Sequence, residues 1–121
     1  MPNYKQKSTL DLLTIFAKAA AEQGEALRAA DSKKANSRYR TMEKTYSELK
    51  SRGPQAQKEV LSLFENPDGY VRLNAAAYSL DFDPAGAVRL LQMIRKMETG
   101  LLGFTAGKIV EEWSKKQTAK D

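Results

Sequence analysis

An all-α chain is predicted, built as a stack of about six helices. Three observations predict it. Apolar residues recur at helical spacing along nearly the whole length, helix-start residues precede each apolar stretch, and no stretch alternates apolar and polar residues as a half-buried strand would. With 121 residues, 41% hydrophobic and 29% charged, the chain has the size and balance of one globular domain. That domain is expected to span 1–121, with 1–7 and 116–121 frayed at its ends.

The first helix is expected from about Ser8 to Arg28. Ser8 and Asp11 have the S/T-x-x-D/E spacing in which a hydroxyl and a carboxylate satisfy free backbone N–H groups. Leu12, Leu13, Phe16, Ala20 and Leu27 then fall on one side at about 100° per residue. Asp31-Ser32 caps a second helix. Its stripe of Ala35, Tyr39, Met42, Tyr46 and Leu49 is the most regular in the chain, and places Tyr39 and Tyr46 in the core. Gly53 ends that helix, and Pro54 opens a third at a first-turn position where proline is tolerated. Val60, Leu61, Leu63 and Phe64 supply its buried side.

Asn66-Pro67-Asp68-Gly69 reads as a turn. The fourth helix, from about Tyr70 to Leu80, is apolar around most of its circumference, as a central helix packed by several neighbours must be. Asp83-Pro84 starts a fifth, with Ala87, Leu90, Leu91, Ile94 and Met97 as its core face. A sixth runs from about Leu101 to Lys115 and buries Leu102, Ala106, Ile109 and Trp113. Gly103 and Gly107, four apart, would admit another element closely. The last four helices look like two copies of one unit: Pro54 and Pro84 each open a first helix, Tyr70 and Leu101 each a second. Such a period of paired helices is the mark of a helical solenoid.

The stretch from Asn66 to Leu80, with its Pro67-Asp68 turn, Val71-Arg72, alanines 75–77 and Leu80, resembles a HEAT repeat. In such repeats the alanines permit tight contact and the arginine often pairs with an acidic residue of a neighbouring unit. The second unit, Leu101-Leu102-Gly103-Phe104, lacks Val-Arg and a preceding Asp-Pro turn. The resemblance implies a HEAT-like, right-handed α-α superhelix. From about Leu10 to Trp113 the chain is also similar to a family of small bacterial HEAT-like proteins known only as a domain of unknown function. The segments that carry this are residues 31–36, Leu49 to Pro54 and residues 100–104. Members of such families often sit beside genes for secreted toxins, which implies an immunity or adaptor role.

Composition excludes several chemistries outright. There is no cysteine and no histidine, so disulfides, cysteine nucleophiles, cysteine-based zinc sites and histidine-dependent triads cannot be built. Asp81 and Asp83 flank Phe82, but Asp83 is better read as the cap of the fifth helix and Asp81 as the end of the fourth. Glu111 and Glu112 point about 100° apart on a helix. Gly100-Leu101-Leu102-Gly103 lacks the strand and Gly-Lys-Ser/Thr of a phosphate loop. A glycosylase of the HEAT-like type would need a carboxylate in a concave aromatic pocket, and the one tryptophan, Trp113, falls on a buried side. No catalytic residue, metal site or cofactor is therefore expected, and the chain is read as a non-enzyme.

Charge is more informative. The net charge is +5, with the excess in residues 1–58, which hold twelve Lys and Arg against six Asp and Glu. Lys33, Arg40 and Lys44 lie within about 40° of one another on the second helix, opposite its apolar stripe. They are candidates for contact with a protein partner or with nucleic acid, or else an ordinary solvated face. Arg72 is either a ladder ion pair or a partner contact beside Asn74. No segment reaches the roughly 20 apolar residues of a membrane span. Lys5 and Lys7 precede a short apolar run, but Asp11 and Lys18 interrupt it, unlike a secretory signal. A cytoplasmic address is expected. The function expected is binding of a protein, in the narrower form neutralisation of a cognate bacterial toxin. The alternative is a nucleic-acid-binding module using the basic N-terminal half.

Overall fold

A computed structural model describes residues 3–120. They form a short 3-10 turn at Tyr4–Gln6 and six helices: α1 (Thr9–Arg28), α2 (Ser32–Ser51), α3 (Pro54–Lys58), α4 (Gly69–Ser79), α5 (Pro84–Met97) and α6 (Gly100–Lys120). No strand occurs among the described residues. A 3-10 helix, Glu59–Glu65, continues α3.

Three expected caps form, and Asp68, in the turn before α4, adds a fourth. Ser8 Oγ accepts from the Asp11 N–H at 3.0 Å, Asp31 from Lys34 at 3.1 Å, Asp68 from Tyr70 and Val71, and Asp83 from Gly86 at 3.2 Å. Each side chain satisfies a donor that the first helical turn leaves free. Gly53 ends α2 with φ 106°, a left-handed conformation that favours glycine. At the end of α1 the positive φ falls to an alanine, Ala30, at 56°. The Asp31 N–H donates to Ala26 O at 2.8 Å and the Ala30 N–H to Leu27 O at 3.1 Å. These two bonds make a Schellman motif with alanine where glycine is usual.

The three-residue link folds α2 back along α1, and the pair packs with α4 and the 3-10 helix around Leu12, Phe16, Met42, Leu49, Val60, Val71 and Ala75. A second core joins α4 to α5 and α6 through Tyr70, Leu73, Ala76, Leu91, Ile94, Ala106 and Val110. Helix α4 thus sits between two cores, which is why its apolar residues surround it. Gly103 lets α6 start hard against the end of α5: an added Cβ would lie 2.1 Å from Glu98 O. Gly107 faces the Arg95 side chain instead.

Four expectations are corrected. Residues 59–65 are 3-10 rather than α-helical, so they advance by about 2.0 Å per residue instead of 1.5 and bury only Val60 fully. Met97 is 74% exposed, because it lies in the last turn of α5, beyond Ile94, the last residue of that helix in the core. Helix α6 runs through 116–120 instead of stopping at Lys115. At the N-terminus, Tyr4–Gln6 is held in place. Arg52 Nη2 donates to the carbonyls of Tyr4, Lys5 and Lys7 at 3.1, 3.3 and 2.6 Å while its Nε donates to Glu48 at 2.9 Å. Met1, Pro2 and Asp121, also read as frayed, lie outside the described residues. No helix among the described residues is long and apolar enough to cross a membrane.

Candidate functional site

Helices α1, α2, α4 and α6 converge on an open cleft of about 360 Å³. Its floor is apolar: Leu73 and Ala77 come from α4, with Leu27 of α1 and Ile109 of α6 also lining it. Tyrosines 39, 70 and 78 line it. Tyr39 was expected in the core, yet it is 47% exposed. On α2 it lies at the edge of the apolar stripe, about 60° from the centre marked by Met42, and nothing in the described chain covers that edge. Leu27, also on an expected core face, is 37% exposed at the cleft mouth.

Two side-chain ties hold polar groups of the cleft. The Tyr78 hydroxyl donates to Glu43 Oε1 at 2.6 Å. Its ring packs edge-on to Phe16 at 5.4 Å and tilted against Tyr46 at 4.9 Å. Burial, reinforced by the Glu43 carboxylate, pushes the Tyr78 hydroxyl well above the usual tyrosine range, so it stays a donor. The same causes raise Tyr39. Tyr70 is raised chiefly by burial, against the pull of Arg28, whose guanidinium lies 5.6 Å from the ring centroid. Among the described residues, Glu43 makes no ion pair.

Of the candidate residues, Asn74 alone reaches this cleft. It is 8% exposed, and its amide donates to Gln23 Oε1 and Tyr70 O, both at 2.9 Å. Asn74 therefore joins α4 to α1 and shapes the cleft rather than presenting a free polar group. Arg72 is also turned inward: Nη1 donates to Asn66 O at 2.7 Å, and Nη2 lies 3.9 Å from the Glu98 carboxylate at the end of α5. Both contacts lie within the chain and tie the start of α4 to the end of α5. Lys33, Arg40 and Lys44 are exposed on the outer face of α2, away from the cleft, and none is ion-paired among the described residues.

The carboxylates are structural too. Asp83 caps α5. Asp81 accepts from the Tyr46 hydroxyl at 2.9 Å and pairs with Lys50 Nζ at 2.8 Å. These two partners hold its carboxyl below the usual aspartate range. Gln57 Nε2 donates to the Tyr46 hydroxyl at 2.7 Å; burial pushes that phenol up to about 12. Trp113 is half-buried beside Leu80 and lies outside the cleft, one turn beyond Ile109 on the same face of α6.

Comparison with known proteins follows the same outline. The crystal structure of the protein RPA1889 from Rhodopseudomonas palustris CGA009 is similar to this chain at 30% sequence identity and a TM-score of 0.89, over 95% of each chain. No curated protein matches. The model of a domain of unknown function, DUF2019, matches residues 10–112. By that match over most of its length, and by the shared fold, the chain belongs to the DUF2019 family.

Proposed function

We propose that this protein is a non-enzymatic protein-binding module whose partner docks in the tyrosine-lined cleft. The observation that carries this reading is the cleft itself: an apolar floor with Leu27 and Tyr39 exposed at its mouth. Tyrosine offers a large contact area at little cost in side-chain entropy, and is enriched where proteins meet. The Tyr78 ring is already held by Glu43 and by packing against Tyr46, so it needs little ordering on binding. Against catalysis stands the inventory of the cleft. Glu43 already accepts a hydrogen bond from Tyr78, no second carboxylate lines the cleft beside it, and the tyrosines there are held protonated.

The finer form of the proposal is a HEAT-like module working in the cytoplasm and neutralising a cognate bacterial toxin. Its HEAT-like part is supported by the Val71-Arg72 and alanine pattern, and by the inter-helix role of Arg72. Its toxin part is supported by family resemblance alone. A second reading, nucleic-acid binding, is favoured by the exposed, unpaired Lys33, Arg40 and Lys44 on one face. Affinity capture from a lysate of the native host, with nuclease treatment and salt-step elution, separates the two. A stoichiometric protein that survives both treatments supports the module. Recovery of nucleic acid alone, lost by about 0.3 M salt as bound counterions are exchanged, would replace it with the second reading.

A further inference from the structure

We infer that the cleft receives a lysine or arginine side chain presented by the partner protein, with Glu43 as its counter-charge. This rests on the protein-binding reading above and adds the chemistry of the contact. Glu43 is a carboxylate at the edge of an apolar cleft, without an ion pair among the described residues. A purely apolar side chain entering there would strip water from that carboxylate and leave its charge facing only the neutral hydroxyls of Tyr78 and Tyr39, which is costly. An acidic one would add like-charge repulsion. A basic side chain satisfies both parts of the site: its aliphatic stem lies along Leu73, Ala77 and Ile109, and its cationic head reaches Glu43 between the rings of Tyr39 and Tyr78.

The chain already displays this chemistry once. Arg28 holds its guanidinium 5.6 Å from the centroid of Tyr70, a ring of the same cleft. The volume of about 360 Å³ is at the small end for a ligand site, and suits one or two side chains. The α2 face that carries Lys33, Arg40 and Lys44 has the opposite charge preference, so the two surfaces would select different features of a partner.

The test is an NMR titration of the full-length ¹⁵N-labelled protein with two end-capped pentapeptides. One has a central lysine between leucines; the other replaces that lysine with norleucine, which keeps the stem and removes the charge. The lysine peptide is expected to shift the amides of Leu27, Tyr39 and Ala77 and to bind about tenfold more tightly. Glu43→Gln retains an acceptor for Tyr78, so it keeps the fold, and should remove that difference; Lys44→Gln should not. Equal binding of the two peptides at the cleft overturns the cation claim and leaves the docking surface standing. Failure of both peptides to shift cleft amides overturns the inference and the protein-binding reading together.

Discussion

Two glycines of α6, one turn apart, should respond to the same substitution with opposite signs. An alanine Cβ at Gly103 would lie 2.1 Å from the Glu98 carbonyl oxygen and 3.0 Å from its carbon. Carbon and oxygen normally approach to roughly 3.3 Å, so backbone must move by about an ångström. That backbone is tied, because the Glu98 N–H donates to Ile94 O at 2.9 Å. Overpacking of this kind costs about 1–3 kcal/mol, and the upper end applies where a carbonyl rather than a side chain must yield. Alanine's better helix propensity returns up to about 1 kcal/mol, leaving Gly103→Ala about 2 kcal/mol less stable. At Gly107 the nearest atoms are Cδ and Nε of Arg95, at 3.2 Å. They belong to a long, exposed side chain that can give by a few tenths of an ångström. Gly107→Ala should therefore be neutral or up to about 1 kcal/mol more stable. Urea unfolding followed by far-UV circular dichroism measures both. Thermal midpoints should separate by about 10 °C for a chain this size. A Gly103→Ala protein as stable as the parent would refute the close approach of α5 and α6.

Three further outcomes follow from the caps and ties. Ala30→Gly should raise stability by about 1 kcal/mol, since the left-handed conformation strains alanine and suits glycine; equilibrium unfolding checks it, and a loss would contradict the Schellman geometry. Asp81→Asn should destabilise the protein by about 0.5–1 kcal/mol at neutral pH, a modest amount because the pair is partly exposed. The Asp81 pKa is lowered on folding. Its contribution is thus present above the ordinary aspartate value of about 3.9 and is lost as pH falls through the lower folded value. The two proteins should converge in acid, and a constant difference down to pH 2 would contradict the assignment. Arg52→Lys should not replace Arg52: one ammonium cannot span Glu48 and three carbonyls in the manner of a planar guanidinium. Amide exchange in residues 4–7 should rise sharply, and unchanged protection there would remove the clamp.

Much of the fold was legible because local chemistry announces it. Ser8, Asp31 and Asp83 sit where caps must, and Pro54, Pro84 and Gly53 punctuate the helices. Each acts within four residues, so one sequence suffices to see it. The central place of α4 was visible in its apolar circumference for the same reason. The 3-10 form of 59–65 was not, because a short run of adjacent apolar residues fits either helix type. The cleft was harder still. Periodicity says that Tyr39 lies near a stripe, but whether a stripe's edge is covered depends on distant elements. Gln23, which fixes Asn74, is 51 residues away from it in sequence. Nothing local distinguishes Glu43 from any other surface carboxylate until Tyr78 is folded against it. The exposure of the basic face of α2 is legible, since charge opposite an apolar stripe has nowhere else to go. Its exposure does not by itself assign it a partner.

The central claim is that the cleft, rather than the basic face, engages the partner. The most direct test is parallel affinity capture with three baits: the parent protein, Leu27→Lys, which places a cation in the cleft beside Glu43, and the triple variant K33E/R40E/K44E. Both altered surfaces are exposed, so all three should fold alike. The account predicts that a stoichiometric, salt-resistant protein is captured by the parent and the triple variant and lost with Leu27→Lys. Retention by Leu27→Lys, with loss from the triple variant, would contradict it and move the binding surface to the outer face of α2.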